Sequence, residues 1–171
     1  MSSPIYLPDD RAFFSFLEMT PSNQHVALCE TMGVLVVDRT LRFPPEVCDD
    51  VKRKADLEAD ARLCIWMDAI RASMDCTISW GAKRKAQGWA QANGYPEGLD
   101  PVVDGRQGTC IVAVVGYVME LTASGLTCTV ITNDFRSRPG RAPLGEVCGK
   151  LGVDTVTPMD FVKAVIKPLM A

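Results

Sequence analysis

The chain has 171 residues, of which 47% are apolar and 23% are charged, and its formal net charge is −3 at neutral pH. This length suits one domain over residues 1–171 with a sizeable core, and the composition excludes a disordered chain or a polycationic nucleic-acid coat. No apolar run is long enough to span a bilayer, so we expect no membrane partner.

The N-terminal part predicts two strands separated by helices. Ile5-Tyr6-Leu7 is a short strand, and Pro8-Asp9-Asp10 begins a helix. Pro21-Ser22 begins a second helix, which we expect to run to about Thr31 and to end at Gly33. The β-branched run Val34–Val37 then predicts a second strand.

Two helices are predicted after this strand. Phe43-Pro44-Pro45-Glu46 begins the first, because proline is tolerated in a first helical turn, and this helix carries Asp49 and Asp50. A longer amphipathic helix follows from Ala55 to Ala72. Its apolar positions are Leu57, Ala61, Ile65, Ala69 and Ala72, widened by Trp66 and Met67.

The most basic segment runs from Trp80 to Trp89 and contains Lys83, Arg84 and Lys85. Cations bind phosphates and aromatic rings stack on bases, so this combination suits a single strand of nucleic acid. The alternative is a solvated helix whose two tryptophans point inward.

The C-terminal half predicts helices on either side of a central strand. Thr109–Leu121 is an apolar helix, Leu126–Ile131 is a strand buried on both faces, and Pro143–Leu151 is a short helix closed by a glycine. Gly152–Val156 is the last strand, and Thr157-Pro158 caps a final helix. This alternation predicts an α/β fold, a three-layer α/β/α sandwich with a short, mostly parallel central sheet.

The seven cysteines occur singly, without CxxC pairs, which indicates reduced thiols in a cytoplasmic protein. Cys110 and Cys128 lie in the most apolar segments, so both are predicted to be buried. The only histidine, His25, has no partner at metal-ligand spacing, which argues against a zinc site.

The end of the central strand is the first candidate for chemistry. Thr132, Asn133 and Asp134 follow it directly, and ligands of open parallel sheets bind outside the carboxyl ends of the strands. The structural alternative for Asp134 is an Asx-turn or the N-cap of the next helix.

Several acidic residues occur at comparable places. Asp9 or Asp10 follows the first strand, Asp50 lies in the proline-started helix, and Asp134 follows the central strand. Carboxylates that converge repel each other unless a cation joins them, and Mg²⁺ or Mn²⁺ prefers such oxygen ligands. The pattern therefore predicts a metal-dependent phosphodiester hydrolase.

The order of these elements and several local motifs resemble the PIN domain family. Ile131-Thr132-Asn133-Asp134 is similar to the family's strand that ends in Thr-x-Asp, and Pro44–Val51 is similar to its proline-started helix. Glu146–Val153 and Thr157–Phe161 resemble its last helix, strand and closing helix, in particular those of small prokaryotic members. The resemblance covers nearly the whole chain.

The resemblance implies an endoribonuclease that cleaves single-stranded RNA with Mg²⁺ or Mn²⁺, many members being toxins of toxin-antitoxin pairs. It implies Asp9, Asp50 and Asp134 as catalytic metal ligands and Asp104 as an uncertain fourth ligand. The residues expected to line the site are Thr109, Thr132 and Asn133, and those expected to bind RNA are Lys83, Arg84, Lys85, Arg136 and Arg138. An antitoxin or another protein partner is implied, and a homodimer is allowed.

The third acidic position departs from the family pattern. Where the family has aspartate at the start of the long apolar helix, this chain has Gly108-Thr109-Cys110. The alternative function is therefore a catalytically weak or inactive PIN-like protein that acts through a protein partner or RNA. A Rossmann-type nucleotide binder is disfavoured, because no glycine-rich phosphate loop follows the first strand.

Overall fold

The computed structural model describes residues 4–74, 77–99, 110–137 and 142–171 of the chain. Within these residues the chain forms a three-stranded parallel sheet and a larger number of helices. The strands are β1 (Ile5–Pro8), β2 (Cys128–Ile131) and β3 (Asp154–Val156), in the order β1-β2-β3. The predicted α/β class and parallel sheet are confirmed, whereas the three-layer arrangement stays a prediction.

The helices follow the strands in chain order. They are α1 (Asp10–Glu18), α2 (His25–Val37) after a 3₁₀ turn at Ser22–Gln24, α3 (Pro45–Lys54), α4 (Ala61–Arg71), α5 (Trp80–Ala92), α6 (Ile111–Ala123), α7 (Leu144–Leu151), α8 (Pro158–Phe161), a π-helical turn at Val162–Ile166, and α9 (Lys167–Met170). Among the described residues, no helix combines the length and apolar character that crossing a membrane requires.

Strand β2 is the central strand, as its apolar run predicted. Val130 and Ile131 are completely buried, and Ile131 lies opposite Pro8 of β1. Because the two strands end in register, the residues that follow them, Asp9 and Thr132, lie side by side at the carboxyl edge of the sheet.

Aromatic packing places α1 beside α3. Phe13 of α1 packs edge-on against Phe43, just before α3, with 5.0 Å between the ring centroids. Both side chains are buried in the core. This contact brings the first turn of α1, which contains Asp10, towards the face of α3 that contains Asp50.

The predicted strand at Val34–Val37 is wrong, because this segment belongs to α2. The buried residues of α2 are Leu28, Met32 and Leu35, which recur at helical spacing. β-branching is only a weak strand preference, and burial of this face outweighs it. Gly33 does not end the helix but lies inside α2, where a Cβ would meet Nε1 of Trp66 of α4 at an ordinary contact distance of 3.7 Å.

The predicted helix from Ala55 also begins too early. Asp56 accepts hydrogen bonds from the backbone N–H groups of Glu58 (2.9 Å) and Ala59 (3.0 Å), so this segment forms a turn. Helix α4 begins at Ala61, and its buried residues are Leu63, Met67 and Ile70. The predicted apolar positions Leu57 and Ile65 are 82% and 70% exposed, and Ala69 and Ala72 are exposed as well.

The remaining elements predicted for the C-terminal half are present within the described residues, with ends that differ by one or two residues from the prediction. Gly152 ends α7 in the left-handed conformation (φ 69°), which glycine adopts without steric cost. The Thr157 hydroxyl oxygen accepts the backbone N–H of Asp160 at 3.2 Å and caps α8. Cys110 and Cys128 are buried free thiols, as predicted.

Candidate metal centre

Asp9 is a buried carboxylate at the junction of β1 and α1. It is the N-cap of α1, and its Oδ1 accepts the backbone N–H of Ala12 at 2.8 Å. Its Oδ2 accepts the hydroxyl of Thr132, the residue after β2, at 2.5 Å. Asp9 therefore ties the ends of the two strands together.

Burial controls the protonation of Asp9. The side chain is 4% exposed, and loss of hydration raises its pKa from 3.8 to about 6 despite the two hydrogen bonds. The neighbouring carboxylates of Asp10 and Asp134 raise the pKa further. Asp9 thus titrates closer to neutrality than an ordinary aspartate, which suits a group that gives and takes protons.

Asp10 is the first residue of α1 and is also buried. Its Oδ2 accepts a hydrogen bond from Nζ of Lys54, at the end of α3, over 2.5 Å. Its Oδ1 lies 3.6 Å from Sγ of Cys110, which donates to it. The two oxygens of Asp10 therefore face two other helices.

Asp50 supplies the second carboxylate from α3. The side chain is 6% exposed, and its Oδ1 accepts a hydrogen bond from Arg53, one turn further along the helix, at 2.5 Å. Its Oδ2 accepts the backbone N–H of Cys110, the N-cap of α6, at 2.6 Å. Asp50 thereby holds the start of α6 against α3.

Asp10, Asp50 and Cys110 form one group. Their ligand atoms all lie within 4.8 Å of one another, close enough to hold a metal ion, and all three residues are buried. Burial raises the pKa of the Cys110 thiol well above its usual value, and the carboxylates of Asp10 and Asp50 act in the same direction. Without a cation, the thiol is therefore protonated at neutral pH.

The donors of this group fit a divalent ion. Two carboxylates are the usual protein contribution to a Mg²⁺ or Mn²⁺ site, the rest of the coordination sphere being water and substrate phosphate. Each carboxylate oxygen has two lone pairs, so the hydrogen bonds from Lys54 and Arg53 do not exhaust them. Asp10 and Asp50 are the residues that would hold the ion.

Asp134 lies beside this group rather than in it. Its backbone N–H donates to the Thr132 hydroxyl at 3.0 Å, and its Oδ2 accepts the backbone N–H of Leu144 at 3.2 Å, in the first turn of α7. Asp134 therefore bonds the N-terminus of α7, as the capping alternative expects, although the N-cap residue itself is Pro143. The charge of Asp134 raises the pKa of Asp9, so Asp134 lies near the buried carboxylates, and we call Asp9, Asp10, Asp50 and Asp134 together the acidic cleft.

The predicted site residues differ in their positions. Thr132 is completely buried between Asp9 and Asp134, while Asn133 and Arg136 are exposed at the same edge of the sheet. Three further predicted residues lie outside the described part of the chain, and they are Asp104, Thr109 and Arg138.

Three members of the site were not predicted from the sequence, and they are Cys110, Lys54 and Arg53. The i, i+3 spacing of Asp50 and Arg53 on one helix face was a usable signal. The contacts of Cys110 with Asp50, across 60 positions, and of Lys54 with Asp10, across 44 positions, have no local signal.

The basic helix α5 is a second candidate surface. Arg84 and Lys85 are exposed, and Trp80 is 74% exposed. Lys83 instead forms an ion pair with Glu46 of α3. Trp89 is half-buried and packs against the core, so only one of the two tryptophans points inward.

Comparison of the chain with protein-family models, with curated proteins and with solved structures finds no significant match.

Proposed function

We propose that this protein is a divalent-metal-dependent endoribonuclease of PIN type that acts on single-stranded RNA. The observation that carries the proposal is the meeting of two buried carboxylates, Asp10 and Asp50, beside Asp9 and Asp134 at the carboxyl edge of the sheet. Buried carboxylates in one cleft are costly for a fold and are retained where they bind a cation or carry out chemistry. The resemblance to PIN domains supports Mg²⁺ or Mn²⁺ as the ion, and RNA as the substrate of a toxin controlled by an antitoxin.

The side chains of the acidic cleft would have different roles in cleavage. Asp10 and Asp50 would hold the ion, which supplies a nucleophilic water at neutral pH and stabilises charge on the phosphate. Asp9, with its raised pKa, would accept a proton from the attacking water. Lys54 and Arg53 are half exposed and place two positive charges at the rim of the cleft, where RNA phosphates would lie.

Cleavage assays on matched variants of α3 test this proposal. Asp50→Asn removes a ligand charge and should abolish Mn²⁺-dependent cleavage of a fluorogenic single-stranded RNA. Asp49→Asn is the control, since Asp49 lies on the exposed side of the same helix and pairs with Arg71 of α4. Full activity of Asp50→Asn, or equal loss in both variants, would reject the proposed centre.

A second candidate function is a PIN-like binding or regulatory protein that needs no metal. One observation favours it: Lys54 and Arg53 neutralise both carboxylates of the group within the chain itself. Calorimetric titration with Mn²⁺ distinguishes the candidates. The nuclease requires binding that weakens in Asp50→Asn, whereas the binding protein requires no Mn²⁺ heat but retained affinity for RNA or a protein partner.

A further inference from the structure

We infer that Cys110 is a metal ligand that replaces the third carboxylate, so the Asp10–Asp50–Cys110 group takes a thiophilic divalent ion of the Zn²⁺ or Co²⁺ class in preference to Mg²⁺. The inference rests on the metal centre of the proposed function and names the class of ion that this centre takes. It does not depend on RNA cleavage.

The donor types favour such an ion, because a thiolate prefers Zn²⁺ or Co²⁺, and the spacing of the donors is compatible with it. Sγ of Cys110 lies 3.6 Å from Oδ1 of Asp10. Tetrahedral Zn²⁺ with a Zn–S bond of about 2.3 Å and a Zn–O bond of about 2.1 Å requires a sulfur–oxygen separation of about 3.6 Å. Mg²⁺, in contrast, prefers oxygen ligands to sulfur.

Cys110 becomes a thiolate only when a dication binds, because burial and the neighbouring carboxylates favour the thiol in the metal-free protein. It is the N-cap of α6, a helix of 13 residues, whose N-terminus carries partial positive charge. Coordination forms a metal–sulfur bond, and the thiol proton leaves to solvent. The two carboxylates and the thiolate then carry three negative charges, which the dication offsets together with the paired cations Lys54 and Arg53.

The ligands explain why sequence motifs do not reveal this centre. Asp10, Asp50 and Cys110 come from three different helices, so no pair has the short spacing of a zinc motif. A nearby cysteine, Cys48, lies two residues before Asp50 but contacts Met74 instead. It provides a matched control.

The test is a titration of the reduced, metal-free protein with Co²⁺, followed by absorption spectroscopy. A thiolate bound to Co²⁺ gives a charge-transfer band in the near ultraviolet, which oxygen ligands do not give. We expect one equivalent of Co²⁺ to produce this band in the wild type and in Cys48→Ser, and excess Mg²⁺ to leave it unchanged. A wild type that binds Co²⁺ without the band would overturn the inference.

Two substitutions assign the band. Cys110→Ser should lose the band and weaken Co²⁺ binding at least about tenfold, because even outer-shell partners of a metal contribute about 10- to 100-fold. Cys110→Asp should lose the band but gain affinity for Mn²⁺ and Mg²⁺. If Cys110→Ser fails to fold, Cys110→Asp and the wild-type spectrum still decide the question.

The outcomes separate this inference from the proposed nuclease. A band that persists in Cys110→Ser rejects Cys110 as a ligand but leaves a carboxylate centre intact. Conversely, a band that depends on Cys110, together with unchanged RNA in every cleavage assay, supports the thiolate site and rejects the nuclease.

Discussion

At the scale of one residue, burial disfavours the ionised form of Asp9 in the folded protein. Its two hydrogen bonds only partly replace the water it has lost, so the pKa stays raised, at about 6 rather than 3.8. The folded carboxyl therefore binds its proton more tightly than the unfolded one. The stability that protonated Asp9 contributes is complete below pH 3.8 and is lost as the pH rises through 6.

This raised pKa predicts a pH-dependent difference between the wild type and Asp9→Asn. In chelator, the free energy of unfolding of the wild type should fall relative to Asp9→Asn by about 2 kcal/mol between about pH 4 and pH 7. Asparagine keeps an oxygen that can accept the Ala12 N–H but cannot ionise. Urea unfolding of both proteins across this range measures the difference, in which the other titrating groups cancel. A difference that stays constant with pH would show that folding does not raise the pKa of Asp9.

Asp134 combines a structural contact with a place in the acidic cleft. Asp134→Asn should abolish Mn²⁺-dependent cleavage while leaving the fold intact, because it removes the charge beside Asp9 but keeps an acceptor for the Leu144 N–H. Asparagine and aspartate cap helices about equally well, so the unfolding free energy should change by less than about 0.5 kcal/mol.

Cleavage assays, Mn²⁺ calorimetry and thermal unfolding of the Asp134→Asn protein test both halves of this prediction. Wild-type cleavage rates would show that Asp134 takes no part in the chemistry. Unfolding of the variant would instead assign Asp134 a purely capping role.

At the scale of elements, α5 packs against α6, and its Lys83 forms an ion pair with Glu46 of α3, while Arg84 and Lys85 face solvent. If α5 binds RNA, the two exposed cations release counterions from phosphates. Replacing both by alanine should then reduce the slope of log K against log[salt] by about 1 to 1.5 for single-stranded RNA. Stability should hardly change, because exposed cations contribute little to folding.

RNA titrations at several salt concentrations test the α5 prediction. The matched control is the double variant Lys163→Ala, Lys167→Ala, which removes the same charge from exposed positions near the C-terminus. An equal change of slope in both double variants would indicate a general charge effect and no binding surface on α5.

At the scale of the whole molecule, the labelling rate of each cysteine measures how readily the structure opens around it. Cys110 and Cys128 are buried, whereas Cys29 and Cys64 are only partly buried on α2 and α4. Labelling of Cys110 and Cys128 should therefore be at least about 10³-fold slower in the native than in the unfolded protein, since it requires opening of the core.

Mass spectrometry of the protein after timed alkylation, in a Cys76→Ser background, locates each label and gives its rate. Cys29 and Cys64 should be modified first. Rapid labelling of Cys110 in the folded protein would show that the start of α6 is open to solvent, contrary to its burial.

Local sequence patterns were sufficient for much of the fold. The strand at Ile5, the buried β2 and the caps at Gly152 and Thr157 depend on side-chain shape, backbone freedom and hydrogen bonds between near neighbours. These preferences act within a few residues and agree with the packing around them. The acidic residues at the strand ends were found for the same reason, since parallel strands bring their carboxyl ends to one edge.

Where the structure differs from these local preferences, tertiary packing is the cause. The Val34–Val37 run is helical because α2 buries Leu28, Met32 and Leu35 against the rest of the molecule, which contributes more than the β preference of valine. The metal group was decided in the same way. Sequence left the first acid open between Asp9 and Asp10, and only the packing of three helices brought the latter to Asp50 and Cys110. A contact across 60 or 100 positions depends on the folded core, so no local pattern encodes it.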